Sequence, residues 1–261
     1  MIKMTIKRQA KALLSRFYWL SLSLFCATSF AADYHDVSYS AQQGDPVAQN
    51  LLGQWYYHGH SIEQDYEQAF FWLNKAMEQG NTDAMSTIGW SYYSAKGLEQ
   101  DYQQAISLFN KAAELNHSMA QNNLGWAYKH GNGVEQDDTM AFYWFLQSAK
   151  QGNPRGQTNL GGMYREGRGV GKDMKVAIKL YQVAADRGLP NAIYMLGMVH
   201  ENGWGEVEKN NEMALGYYLK SAKMGLDWAQ KHLGDMYSKG INVEQDKAEA
   251  QYWYQLAAEQ G

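Results

Sequence analysis

The sequence predicts an all-α protein, a solenoid of about six helix–turn–helix repeats of 36–37 residues. The first observation is a glycine that returns at intervals of 36, 36, 36, 36 and 37 residues. A fixed period of roughly 20–50 residues is the signature of repeat architectures, which display extended surfaces. The pattern therefore favours binding over an enclosed active site. The glycines are Gly53, Gly89, Gly125, Gly161, Gly197 and Gly234.

The second observation is that small and apolar residues recur at helical spacing twice in every repeat. In the third repeat one run surrounds Leu124 and Gly125, and another contains Ala141 and Trp144. Spacings of three and four residues place side chains on one face of a helix. Each repeat is therefore predicted to be a helical hairpin. Aromatic residues are expected to fill the core position of the second helix, namely Trp72, Phe109, Trp144, Tyr181, Tyr218 and Trp253.

The third observation is that helix-start residues keep the same period. All three prolines of the chain lie seven residues before a repeat glycine, and Asp45 and Asn153 precede two of them. An N-cap residue followed by proline is typical of a helix start. The fifth repeat has one additional residue near Trp204. The second helices are predicted to begin after Asp65, Asp101, Asp137, Asp173, Asn210 and Asp246.

Residues 1–31 have the order of a secretory signal peptide. Five basic residues precede an apolar run from Phe17 to Phe25, and Ser29 and Ala31 are small residues at the positions that a signal peptidase reads. A membrane anchor is the alternative, but the run is shorter than the roughly 20 residues that span a bilayer. Cys26 follows a bulky residue, which disfavours lipidation. We expect cleavage after Ala31 and a periplasmic or secreted protein.

The net charge restricts the partners. Residues 1–31 hold five basic and no acidic residues, so the remaining chain has 18 basic against 27 acidic residues and no cysteine. Nucleic acids and anionic lipids require a basic surface. The expected partner is therefore a protein or peptide, not a nucleic acid, and no membrane span is expected after cleavage.

The two ends of the repeat array are predicted to differ. Residues 32–44 resemble the end of a second helix and are interpreted as a half-repeat that covers the apolar edge of the first repeat. Residues 45–261 hold the six repeats. The last helix carries Tyr252, Trp253 and Leu256 without a following cap. This end is either tolerated or a docking surface in an envelope assembly, and the oligomeric state stays open.

These residues resemble the Sel-one-like repeat family, a relative of the tetratricopeptide repeats. Residues 120–152 carry nearly the whole motif, from Ala120 through Leu124-Gly125 and Tyr128 to the closing Gly152. The resemblance covers about residues 45–261. It implies a right-handed superhelix of antiparallel helix pairs, and members that are mostly non-catalytic adaptors, many of them bacterial and exported.

The sequence contains few residues in chemically reactive arrangements. His58 and His60 could share a metal ion, but no third ligand follows at a recognisable spacing, which favours solvated histidines. No serine or cysteine nucleophile has a base and an acid at a known spacing. We therefore predict no catalytic residue, no metal and no cofactor. The competing hypothesis is a hydrolase acting on cell-wall or β-lactam substrates, as proposed for the cysteine-rich branch of the family.

The first helix of each repeat carries the candidate binding residues. Positions −3, +1 and +4 from the repeat glycine share one helix face, which lines the concave surface in tetratricopeptide-like solenoids. Trp90 and Trp126 are expected to be neighbours there, and aromatic rings, amides and cations together suit a peptide. The alternative is that these rings pack against adjacent helices. The candidate site comprises Tyr57, Trp90, Tyr93, Asn122, Trp126, Lys129 and Arg165.

Overall fold

The computed structural model describes residues 34–59 and 62–259. The predicted signal segment with its cleavage site, and His60, lie outside the described residues. Within the described part, the secondary structure is helical and contains no strand. The helices are α1 (34–42), α2 (Pro46–His58), α3 (Tyr66–Glu78), α4 (Thr82–Ser94), α5 (Tyr102–Glu114), α6 (Ser118–His130), α7 (Asp138–Lys150), α8 (Pro154–Glu166), α9 (Met174–Asp186), α10 (Pro190–Asn202), α11 (Asn211–Lys223), α12 (Asp227–Lys239) and α13 (Lys247–Ala258).

The helix ends confirm the predicted capping. Asp173 has an extended backbone and its side chain accepts a hydrogen bond of 3.0 Å from the Val176 amide, which satisfies a free N–H of the first turn of α9. Gly167 ends α8 in the left-handed conformation. Leu189 and Leu226 occupy the N-cap positions of α10 and α12 without a side-chain hydrogen bond. The all-α helical repeat fold thus follows from signals that recur in each repeat.

At Gly125 and Gly161, an aromatic ring of the second helix rests directly on the first helix of the same repeat. A Cβ at Gly125 would lie 2.5 Å from the ring of Phe145, and a Cβ at Gly161 would lie 2.7 Å from the ring of Tyr181. Real Cβ atoms do not approach other atoms so closely, so only glycine allows the ring to rest on the first helix. The period of the sequence is therefore a packing requirement.

The buried position of the second helix differs from the expected one in the third repeat. Phe145 is fully buried against Gly125, whereas Trp144 is only partly buried. The prediction that Trp144 occupies the core position is wrong, because the ring that faces the repeat glycine lies four residues after the alanine of the second helix. Tyr181 and Tyr218 occupy this same position in the next two repeats and are fully buried.

The described residues form two compact units, one reaching Ser91 together with Ala95–Glu99, the other comprising Tyr92–Ser94 and the chain from Gln100. In the first unit, Ala41 of α1 is buried with Leu52 and Trp72. Residues 34–42 thus cover apolar side chains of the first repeat.

In the second unit, each helix from α5 to α12 packs on the helix that follows it, and α6 also contacts α8. A loop contact joins two repeats of this unit: the guanidinium of Arg168 donates to both carboxylate oxygens of Asp138, with distances of 2.6 and 3.0 Å. The α6–α8 contact brings the first helices of successive repeats together, and this positions the candidate site.

Candidate functional site

A cleft of about 280 Å³ lies across the first helices of the third to sixth repeats, all in the second unit. Helices α6, α8, α10 and α12 each contribute lining residues, and α9 contributes Tyr181. The cleft thus spans four successive repeats. Its lining comprises Asn122, Trp126, Lys129, Arg155, Thr158, Asn159, Gly162, Arg165, Glu166, Tyr181, Leu189, Asn191, Tyr194, Met195 and Trp228.

Tyr181 provides a buried hydroxyl to the cleft. The side chain is fully buried, and its hydroxyl has no hydrogen-bond partner among the described residues. Burial raises the pKa of Tyr181 to about 12, while the nearby charges of Arg165 and Glu166 act in opposite directions. The hydroxyl is therefore protonated at neutral pH and can donate a hydrogen bond.

The charged residues of the cleft are three cations and one carboxylate. Glu166 pairs with Arg165, and the ammonium of Lys129 lies 3.8 Å from the same carboxylate. Arg155 is exposed and makes no ion pair with any described residue. The cleft is therefore cationic in a chain whose formal net charge is −4, and it attracts anionic groups.

Arg165 is fixed on two sides. Its guanidinium carbon lies 5.4 Å from the ring centroid of Trp204, in the loop that holds the additional residue of the fifth repeat. This is a cation–π distance. One of its nitrogens donates to Glu166. The Nε atom is buried and has no hydrogen-bond partner within the described chain.

Aromatic side chains occupy both ends of the lining. Trp126 stacks on His130 with ring centroids 4.6 Å apart and an interplanar angle of 15°, and it is partly buried. Trp228, three repeats further along the chain, exposes 57% of its surface. Large rings that combine apolar area with a polar atom are typical anchors of protein interfaces.

Four of the seven residues predicted for the site line this one cleft: Asn122, Trp126, Lys129 and Arg165. Asn122 is buried, and its side-chain oxygen accepts a hydrogen bond of 2.8 Å from Asn159. Their part in binding stays a prediction.

The two predicted tyrosines lie elsewhere. Tyr57 is 3% exposed, packs edge-on against Tyr66 at 5.5 Å and accepts a hydrogen bond from Ser91, so it belongs to the core of the first unit. The expectation that Tyr57 lies on an open face is wrong. Tyr93 packs against Tyr102 at 5.1 Å in the same way and is partly buried.

Trp90 belongs to the first unit and exposes 42% of its surface. Its predicted proximity to Trp126 stays a prediction.

Sequence reasoning missed a row of cleft residues one turn before the positions considered. Arg155, Asn191 and Trp228 each lie six residues before their repeat glycine. Position −6 shares a helix face with −3, +1 and +4, because the steps are again three and four residues. The signal was thus present in the repeat alignment. The sequence contained no such signal for Tyr181, because its position in the second helix predicts a core residue.

The described residues show neither a cluster of metal-binding side chains nor a membrane-spanning helix. The described residues contain no group of three or more His, Cys, Asp or Glu side chains arranged for a metal ion. Among the same residues, no helix combines the length and apolar character that crossing a membrane requires.

The chain is similar to several proteins of known structure. It is 38% identical to a protective antigen of uropathogenic Escherichia coli that displays an SLR fold, with a TM-score of 0.63, covering 87% of this chain but only 48% of that one. A Sel1 repeat protein from Oxalobacter formigenes is 32% identical, with a TM-score of 0.69 and coverages of 84% and 89%.

An immunity protein from Pseudomonas aeruginosa is 22% identical and shares the fold, with a TM-score of 0.59 and coverages of 79% and 80%. A search of the curated proteins found no match to this chain.

The Sel1 repeat model matches residues 46–81, 82–117, 118–153, 154–189, 190–226 and 229–261. The first five matches begin at the first residues of α2, α4, α6, α8 and α10, the sixth begins within α12, and the fifth match holds the additional residue. The six matches together cover most of the chain, which therefore belongs to the Sel1 repeat family.

Proposed function

We propose that this chain is a non-catalytic adaptor that binds an extended segment of a partner protein in the cleft of the third to sixth repeats. Sel1 repeats mediate protein–protein interaction. The observation that carries the proposal is the cleft itself, which joins tryptophans, amides and cations from four first helices.

The shape of the lining favours a peptide over a small molecule. Successive repeats present the same positions at regular intervals, so an extended chain meets a similar set of groups at each repeat. Asn159 and Asn191 can bond to a peptide backbone, while Trp126 and Trp228 provide apolar area. No feature of the described residues favours the hydrolase alternative.

We further propose that the protein acts outside the cytoplasm, in a bacterial envelope or after secretion. The support is the order of basic, apolar and small residues in residues 1–31. The acidic balance of the rest of the chain fits a protein partner better than a nucleic acid.

Site-specific photo-crosslinking tests the proposed surface. A photoreactive phenylalanine at position 228 lies on the cleft, whereas one at position 143 lies on a second helix, at a tyrosine that exposes 46% of its surface. We expect position 228 to crosslink a partner in intact cells, and Trp126→Ala to reduce the yield at least several-fold. Equal crosslinking from position 143, insensitive to Trp126→Ala, would refute the proposed surface.

A further inference from the structure

We propose that the cleft selects a partner segment with an aspartate or glutamate side chain flanked by apolar residues, and that this carboxylate binds between Arg165 and Tyr181. The inference rests on the proposed function and specifies its ligand.

Two buried polar groups of the cleft residues have unused hydrogen-bonding capacity. The Nε of Arg165 can only donate, and both this atom and the Tyr181 hydroxyl are buried without a partner among the described residues. A buried donor without an acceptor is costly, and a charged acceptor forms the stronger bond. Both residues line the same cleft and the charge of Arg165 acts on the Tyr181 hydroxyl, so a carboxylate placed between them would accept from both. Burial keeps the pKa of Tyr181 high, which preserves its proton.

The lining of the cleft carries a net positive charge. The charged lining residues have a net charge of +2, which favours an anion. They are the cations Lys129, Arg155 and Arg165 and the carboxylate Glu166. Glu166 contacts Arg165 directly and repels a second negative charge at the same point. A group with a single charge, such as a carboxylate, therefore fits this base better than a doubly charged phosphate.

Arg165 and Tyr181 lie between the two tryptophans in the order of the repeats. Arg165 and Tyr181 belong to the fourth repeat, Trp126 belongs to the third, and Trp228 lies in α12, the first helix of the sixth. If a peptide segment contacts both tryptophans, the residue that lies at Arg165 and Tyr181 is in the interior of the segment and not at its end. The carboxylate is then that of a side chain, with apolar neighbours on both sides, and not that of a chain end.

Two synthetic peptide pools test this inference on the immobilised full chain. Both are nine residues long, acetylated and amidated, with flanking positions randomised over Ser, Leu, Phe and Tyr. One pool has Glu at the centre and the other has Gln. Retained peptides are quantified by mass spectrometry. We expect the Glu pool to be retained about tenfold or more over the Gln pool, as for a hydrogen bond to a charged group.

Tyr181→Phe removes the hydroxyl and keeps the ring against Gly161. We expect it to lower the Glu-to-Gln ratio several-fold without lowering the melting temperature, since the hydroxyl has no partner in the described chain. The matched control is Tyr218→Phe at the same position of the fifth repeat. The hydroxyl of Tyr218 donates to Glu201 at 2.8 Å, and the residue is outside the cleft lining. This control should lose stability and keep the ratio.

Three other outcomes of the peptide-pool experiment would contradict the proposal. If both pools were retained equally and Trp126→Ala reduced this retention, the proposed selectivity for a carboxylate would be wrong. Peptide binding by the cleft would still be supported. Retention of neither pool would overturn the proposed function at this cleft as well. A third pool with central Gln and a free C-terminal carboxylate would, if it alone were retained, assign the pocket to a chain end and overturn the side-chain inference.

Discussion

Gly161 and Gly162 are neighbours in α8 with opposite surroundings. A Cβ at Gly161 would lie 2.7 Å from the Tyr181 ring, whereas a Cβ at Gly162 would meet no atom within 4 Å. The first glycine is required by packing between helices, and the second leaves the cleft wall open. Two adjacent glycines thus have different roles: Gly161 allows close packing between helices, and Gly162 shapes the surface of the cleft.

This contrast predicts opposite effects of alanine. Gly161→Ala should lower the free energy of unfolding by about 1–3 kcal/mol through overpacking. Gly162→Ala should raise it by about 0.5–1 kcal/mol, because glycine is a poor helix former. Urea unfolding followed by circular dichroism measures both. Equal effects of the two substitutions would show that the repeat glycine does not set the helix approach.

The aromatic residues of α7 lead to a second prediction at the residue scale. Phe145→Ala should cost about 3–5 kcal/mol, since it empties the position against Gly125. Trp144→Ala should cost less, because that side chain is only partly buried. Calorimetric melting of the two variants compares them directly. A larger loss for Trp144→Ala would restore the register expected from the sequence.

Helices α10, α11 and α12 share a polar cluster beside the cleft. The His232 ring lies 4.4 Å from Tyr218 and forms a hydrogen bond of 3.4 Å with the Tyr194 hydroxyl through Nδ1. Its Nε2 lies 3.9 Å from Glu201. Burial lowers the pKa of His232, and this effect outweighs the opposing charges of Glu201 and Asp235. The cluster therefore holds the imidazole neutral between three helices.

The lowered pKa predicts how stability depends on pH. Below the ordinary histidine pKa of about 6.5, the unfolded chain binds a proton that the folded chain binds only at lower pH. Stability present above pH 6.5 should therefore fall as the pH decreases toward 5. His232→Gln should reduce this slope. His130, whose pKa burial also lowers, leaves a residual slope in the variant. Urea unfolding between pH 5 and 8 provides the measurement, and an unchanged slope would contradict the assignment.

At the scale of the whole chain, the sequence predicted the repeats and their helices because every repeat carries the same caps, glycine and apolar positions. It predicted the cleft only in part. Lys129 and Arg165 are partly exposed and line the cleft, whereas Tyr57 occupies the same repeat position and is buried against Tyr66. A single position thus has two environments. Side-chain size and charge decide between them, and periodicity alone does not report this.

The charge distribution is also a property of the whole chain. Without residues 1–31 the chain carries 18 basic against 27 acidic residues, and its cleft still joins three cations. The net negative charge of the chain should therefore repel an acidic partner segment at long range, and the cations of the cleft should attract it at short range. Since exposed charges are screened within a Debye length of about 8 Å at physiological salt, this attraction should weaken as salt rises.

Processing provides the last prediction. We expect cleavage after Ala31, so that the mature chain begins at Ala32. A cut after Tyr34 would remove a side chain that packs on the first repeat, since Tyr34 stacks on Trp55 at 6.2 Å and its hydroxyl lies 2.9 Å from that of Tyr56. Intact-mass measurement of the exported protein locates the new terminus. Ala31→Arg should block cleavage, because the peptidase requires a small residue there, whereas Phe30→Leu should not. A wild-type protein that retains residues 1–31, or that begins after Tyr34, would contradict this interpretation.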